Sequence, residues 1–193
     1  GMYTGTILVT EGMPHGKGCM NYESGRAYDG DWISGQWHGH GKLLNPNGDT
    51  YEGEFVLDAR HGKGEYRWDN GDVYTGDFSY DRRSGNGKFC FHNGNVYEGE
   101  FVDGMFEGFG RYEFDGGYYE GEWRQGRYHG DGELMYANGG KYTGEFRESL
   151  AHGFGVEVLP DGTKRRGVWE RGQPVEFFHA RSSEAQSVGS SSG

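Results

Sequence analysis

The sequence predicts an all-β protein: a single-layer, elongated, twisted antiparallel sheet of consecutive β-hairpins, a solenoid-like rod. Three observations carry that prediction. Glycine reaches 39 of 193 residues, a tyrosine–glycine–aromatic pattern returns at near-constant spacing, and most copies close on a tight-turn dipeptide. Aromatic residues make up 16% of the chain while aliphatic residues are few, so apolar burial has to come from rings packed on bare glycine backbone.

The repeat organises everything else. Tyr-x-Gly-x-(Trp/Phe) occurs as "YDGDW" from Tyr28, "YEGEF" from Tyr51, "YTGDF" from Tyr74, "YEGEF" from Tyr97, "YEGEW" from Tyr119 and "YTGEF" from Tyr142. Successive lead tyrosines lie 23 residues apart, with one step of 22 between Tyr97 and Tyr119. A variant, "YTGTI", starts at Tyr3, 25 residues before Tyr28, and a worn copy, "RRGVW", starts at Arg165. A second signature follows inside each unit: "HGKG" at 15–18 and 61–64, "HGHG" at 38–41, "SGNG" at 84–87, "EGFG" at 107–110, "HGDG" at 129–132 and "HGFG" at 152–155. Units then close on Asn47-Gly48, Asn70-Gly71, Asn93-Gly94, Asn138-Gly139 or Asp161-Gly162, which supply the positive φ that tight turns demand.

Alternation separates the two faces of each strand. Tyr51, Gly53 and Phe55 share one face and Glu52 and Glu54 the other; in the next strand Gly62, Gly64, Tyr66 and Trp68 fall together. The expected packing lays rings of one strand over glycines of the next. A helical reading fails, because a glycine every few residues would cost about 1 kcal/mol each.

The stretch "YEGEFVLDARHGKGEYRWDNGDV", residues 51–73, resembles a unit of the MORN (membrane occupation and recognition nexus) repeat family, and the resemblance recurs seven times over nearly the whole chain. It implies a scaffold at cytoskeletal or membrane-associated structures, in some members a dimer. The units depart from the pattern locally. Ser84 and Glu107 replace the histidine, Ile7 replaces the aromatic, and Asp58, Asp81 and Ser149 replace the glycine of the internal turn. Such departures mean that the units are not interchangeable as binding positions.

Seven units starting at 3, 28, 51, 74, 97, 119 and 142 therefore fill residues 3–164. With two strands per unit at ~4.8 Å each, they are expected to span roughly 70 Å. Residues 165–181 read as a degenerate repeat capping the last edge. The serine-rich 182–193 reads as a disordered tail, and Gly1-Met2 as a tag scar.

Chemistry read from single units dissolves in the repeat. His15, His38, His61, His129 and His152 form a column that suggests metal, yet equivalent residues of adjacent hairpins lie ~10 Å apart while zinc ligands converge to ~2.1 Å. They are expected instead to hydrogen-bond their own hairpins. Glutamate pairs such as Glu52 with Glu54 and Glu120 with Glu122 recur in nearly every unit, which argues for a solvated acidic face rather than one catalytic pair with separated pKa values. The Gly-x-Gly pairs open strands, not the helices of phosphate-binding loops. No catalytic residue, metal site or cofactor is assigned, and an enzymatic role is not expected.

Two cysteines, Cys19 and Cys90, lie three units apart and are not expected to pair, which suits a reducing, cytoplasmic setting. The formal charge of −11 opposes nucleic acid and anionic lipid as partners, since both are negative themselves. A lipid-binding alternative would rest on the short basic clusters Arg82-Arg83 and Lys164-Arg165-Arg166.

The reading that remains is a non-catalytic scaffold or adaptor. A single-layer sheet cannot bury both faces, so a long aromatic surface is expected to stay accessible and to receive an extended or helical segment of a partner protein. Its repeated members are Tyr28, Trp32, Tyr51, Phe55, Tyr74, Phe78, Tyr97, Phe101, Tyr119, Trp123, Tyr142 and Phe146. Trp37, Phe106 and Tyr128, with Phe109 and Phe154, stand where other units carry polar residues and would tune specificity. A homodimer through an edge strand is a further expectation. A targeting region cut from a larger enzyme is the other alternative.

Overall fold

The computed structural model describes residues 1–8 and 12–178. The expected disordered tail lies outside the described residues. Sixteen strands form one antiparallel sheet in which every strand pairs only with its sequence neighbours. They are β1 (Met2–Leu8), β2 (Met13–Asn21), β3 (Ala27–Ile33), β4 (Gln36–Leu44), β5 (Thr50–Val56), β6 (Ala59–Arg67), β7 (Val73–Ser79) and β8 (Arg82–Cys90). There follow β9 (Val96–Val102), β10 (Met105–Phe114), β11 (Gly117–Arg124), β12 (Arg127–Met135), β13 (Lys141–Arg147), β14 (Leu150–Val158), β15 (Lys164–Glu170) and β16 (Gln173–Phe177). The worn copy from Arg165 thus makes one more hairpin, and β16 is the exposed outer edge. Among the described residues no helix is long and apolar enough to cross a membrane.

Both long margins of the rod are stitched by turns. Within a unit the strands join through two residues of positive φ, such as Leu57 (50°) and Asp58 (65°), the backbone twist that a tight hairpin needs. The amide of the second turn residue donates to the unit before it: Asp58 N to Trp37 O, Asp81 N to Arg60 O, Gly104 N to Arg83 O. Where aspartate replaces the expected glycine it adds a bond of its own, Asp58 Oδ1 accepting from Trp37 N at 2.7 Å. On the other margin Asn47, Asn70 and Asn93 each accept the amide two residues on, closing the turns between units.

The register creates an unbroken line of glycines. Gly5, Gly18, Gly30, Gly41, Gly53, Gly64, Gly76, Gly87, Gly99, Gly110, Gly121, Gly132, Gly144, Gly155 and Gly167 pair in succession across β1 to β15. Along this line the ring of each lead tyrosine lies flat on the neighbouring backbone. A Cβ placed on Gly64 would sit 2.5 Å from the Tyr51 Cε2 and Cζ atoms, so no larger residue fits. The tyrosine hydroxyl then donates to the carbonyl three residues on, as in Tyr51 to Glu54 at 2.9 Å and Tyr74 to Asp77 at 2.8 Å.

This packing corrects the expectation of an accessible aromatic surface. Tyr28, Trp32, Tyr51, Phe55, Tyr74, Phe78, Tyr97, Phe101, Tyr119, Trp123, Tyr142 and Phe146 are between 0 and 5% exposed. Each tyrosine meets the aromatic residue four on, and that of the next unit, edge to face at about 5 Å, for instance Tyr51 with Phe55 (5.0 Å) and Phe78 (5.1 Å). Such pairs add about 0.5–1.5 kcal/mol each beyond their buried area. Trp37, Phe106 and Tyr128 stack on Tyr28, Tyr97 and Tyr119 as a second tier, and Leu43, Tyr66 and Phe89 close the flank. A single layer buries its rings because they lie along the sheet, roofed by their neighbours, instead of standing up from it.

Candidate binding groove

With the rings sealed, the open surface is the opposite face. There the glycine line forms the floor of a groove of about 1060 Å³ that crosses β4 to β10, flanked by His40, Glu52, Lys63, Thr75, Asn86, Lys88, Glu98, Phe109 and Arg111. A second stretch of about 550 Å³ continues it over β10 to β13, past Glu120, Asp131, Glu133 and Thr143. Phe109 stands between the two stretches and is 57% exposed; two units on, Phe154 is 64% exposed. Ten strands at ~4.8 Å make the groove roughly 43 Å long.

The acidic residues of this face divide into two kinds, which corrects the reading of the glutamate pairs as uniformly solvated. The first of each pair stays in solvent and reaches across to a neighbouring strand, as in Lys42–Glu52 (3.3 Å), Lys88–Glu98 (3.5 Å) and Arg111–Glu120 (2.7 Å). The second turns back on its own hairpin. Glu54 accepts Lys63 N (2.8 Å), Asp77 accepts Asn86 N (3.0 Å), Glu100 accepts Phe109 N (3.0 Å) and Glu145 accepts Phe154 N (3.0 Å). The device works because the "HG" glycine, Gly62 in the third unit, enters the left-handed region (φ 60°) at a bulge and leaves room beside it for the carboxylate. The recurring shape of the bulge therefore fixes the residue after it, Phe109 or Phe154 included, on the groove side.

The histidines sit at the same bulge. They do not meet the expectation of hydrogen bonds to their own hairpins at three positions, where Nδ1 of His15, His38 and His61 is buried without a partner among the described residues. Space at the bulge is taken by the acidic cap and by the tyrosine hydroxyl, which also reaches the carbonyls of His129 (3.2 Å) and His152 (3.3 Å).

The sheet divides the basic clusters between its two faces. Arg82 is held by Asp103 (2.9 Å) and stays exposed, whereas Arg83 folds onto the ring face over Trp68, Tyr74, Phe89 and Phe101. In β15 the alternation sends Arg165 toward Phe177, on the ring side, and away from Lys164 and Arg166. Cys19 and Cys90 are both free thiols.

The largest electrostatic shifts lie in the ring layer. Burial raises the phenols of Tyr28, Tyr51, Tyr74, Tyr97 and Tyr119 well above their ordinary range, and pushes Tyr142 up to about 12. Asp49 is the one buried carboxylate among the described residues. Burial alone would raise it, yet bonds from Tyr66 Oη (2.7 Å) and Asp69 N (3.0 Å) hold it below the usual carboxylate value.

The profile of the MORN repeat matches residues 9–25, 28–50, 51–73, 74–96, 97–117, 119–141 and 142–164. The chain belongs to the MORN repeat family. Six of the seven matched MORN segments begin at the lead tyrosine; the first begins at residue 9, after "YTGTI". Sequence comparison found no match among curated proteins. Among solved structures the chain is similar to the TCP domain of Drosophila melanogaster SAS-4 (dCPAP) in complex with a proline-rich motif of Ana2 (dSTIL), at 16% identity and a TM-score of 0.48, covering 80% of this chain and 84% of that one. It is also similar to the TCP10 domain of Danio rerio CPAP in complex with a STIL peptide, at 14% identity and a TM-score of 0.32, covering 86% and 84%. At these scores neither likeness bears on what this MORN protein binds.

The sequence marks Phe109 and Phe154 as exceptions but does not put them on the groove face, and the groove floor does not stand out in any one unit. The signal was present, since the ladder glycines recur at alternating steps of about 11 and 12 residues, one per strand.

Proposed function

We propose that this MORN protein is a non-catalytic scaffold or adaptor whose glycine-floored groove receives a segment of a partner protein at a cytoskeletal or membrane-associated structure. The observation that carries the reading is the groove itself: two stretches that together run over ten strands and meet at an exposed phenylalanine. Three features support an extended protein segment as occupant. Bare glycine backbone lets a chain approach closely. The β4–β10 stretch offers both signs of charge, through Lys63, Lys88 and Arg111 against Glu52 and Glu98. Phe109 supplies an apolar anchor of the kind that dominates interface energies. A groove of roughly 43 Å accommodates about 13 residues of extended chain.

The test is selection of binding peptides from a random display library on the intact chain, followed by affinity measurement with Phe109→Ser and Thr75→Arg. At least a tenfold loss of affinity with unchanged thermal stability is expected for each. Selected peptides that bind both variants as tightly as the parent chain refute the groove as the site.

A further inference from the structure

The ring face carries a separate feature that does not depend on the groove. In five units the residue nine after the lead tyrosine roofs the tyrosine ring. It is Trp37, Phe106 or Tyr128 in three of them, and arginine in the other two. The two arginines occupy equivalent positions one unit apart, and their surroundings differ by one carboxylate.

Arg60 lies over Tyr66 at 5.0 Å, Phe78 at 5.6 Å and Tyr51 at 5.9 Å. Its Nε donates to Asp81 Oδ1 at 2.8 Å, and Nη2 donates to the Asp81 carbonyl at 3.0 Å. Arg83 repeats the stacking, at 5.0 Å from Phe89, 5.6 Å from Phe101, 5.7 Å from Trp68 and 5.8 Å from Tyr74. It repeats the carbonyl bond too, Nη2 to Gly104 O at 2.8 Å. The residue 23 after Asp81, however, is Gly104. Among the described residues no carboxylate lies within salt-bridge distance of Arg83, and the nearby Asp103 is bound by Arg82.

The guanidinium is thus half-buried on an aromatic bed with its charge unanswered, and burial holds its pKa below the ordinary arginine value. A cleft of about 330 Å³ opens over it, lined by Arg60, Trp68, Phe78, Asp81, Arg83 and Gly104 among others. Every other charge around the cleft is paired, Arg60 with Asp81 and Arg82 with Asp103, so the surplus of one positive charge sits on Arg83. A planar guanidinium matches the two oxygens of a carboxylate, and a cation left partly desolvated gains most from such a partner.

We infer that the Arg83–Gly104 cleft is a carboxylate receptor, which takes an aspartate or glutamate side chain of a bound polypeptide into the place that Asp81 fills beside Arg60. The overall charge of −11 repels acidic tracts, so the fitting segment carries one acidic residue among neutral or basic neighbours.

The repeat supplies its own control. Asp81 adopts φ 70° in the turn and Gly104 φ 83°, so the turn already tolerates aspartate, and a Cβ at Gly104 meets nothing nearer than Arg83 Nη2 at 3.7 Å. Gly104→Asp should therefore close the receptor from within. N-acetyl-aspartate amide and inorganic phosphate serve as probes, followed by the side-chain Nε–Hε signals of ¹⁵N-labelled protein. A saturable shift of the Arg83 signal with the acetyl-aspartate amide is expected, at least fivefold tighter than with phosphate. It should vanish in Gly104→Asp and persist in Phe109→Ser, which alters only the groove; in Arg83→Gln, which lacks that signal, the heat of acetyl-aspartate amide binding seen by calorimetry with the parent chain should disappear. Gly104→Asp should also raise the Tm. No saturable shift, a shift that survives Gly104→Asp, a binding heat that survives Arg83→Gln, or tighter binding of phosphate would overturn the assignment. If Gly104→Asp does not fold, Arg83→Gln decides.

Discussion

Tyr51, on the ring face, is wholly shielded from water, whereas Phe109, on the face behind it, is 57% exposed, although both belong to strands of one sheet. The difference comes from what stands opposite each side chain. Tyr51 has bare glycine beneath it and a roof of Phe55, Arg60 and Phe78 above. Phe109 projects from a bulge whose neighbours are short, polar or charged, and nothing among the described residues covers it. One face is spent on stability and the other is free for recognition. In a solenoid, with no second layer to bury against, this division replaces the usual core and surface.

The largest test of the sealed face is alkali. The buried phenols favour the neutral form, so their folded pKa values lie above the unfolded value near 10. Their contribution is therefore complete below about pH 10 and is lost as pH rises toward the folded pKa values. The share of phenolate absorbance that comes from the buried lead tyrosines is expected to rise together with collapse of the β-sheet circular dichroism, above pH 10. Those buried tyrosines titrating near pH 10 with the sheet intact would contradict the sealing.

Gly64→Val comes next. Its branched side chain would collide with the Tyr51 ring, and a loss of more than about 3 kcal/mol is expected in urea titration, or failure to fold. Tyr74→Ala empties one ring site and should cost roughly 3–5 kcal/mol, a lower cost meaning that neighbouring rings collapse into the space. The acid limb is smaller. Because Asp49 is held below the ordinary carboxylate value in the fold, its contribution is present above about pH 4 and disappears as pH falls through the folded pKa. Asp49→Asn should flatten that limb of a Tm–pH profile while leaving its alkaline side unchanged. The smallest effect belongs to the open face, where Phe109→Ser should change stability by less than about 0.5 kcal/mol. A larger loss would show that Phe109 is part of the fold and not of a binding surface.

The period near 23, the turn dipeptides and the strand alternation were enough to place the hairpins and to name the family, because each unit repeats the same local instruction. The row from Tyr28 to Phe146 was legible as a row, yet its exposure was misjudged. Sequence shows that Tyr51 and Gly64 share a face, but not that the ring lies down on the neighbouring strand. Likewise "YEGE" shows two acidic residues on one face, and only the bulge at Gly62 decides that Glu52 stays in water while Glu54 caps a backbone amide.

By itself the sequence determined the all-β class and the meander order, both of which follow from local propensity and near-neighbour pairing. Tertiary structure decided which face is sealed, that the glycines align into one floor, and that Arg83 meets Gly104 where Arg60 meets Asp81. Those outcomes depend on register and ring orientation between units, set by close packing of atoms that no single repeat contains.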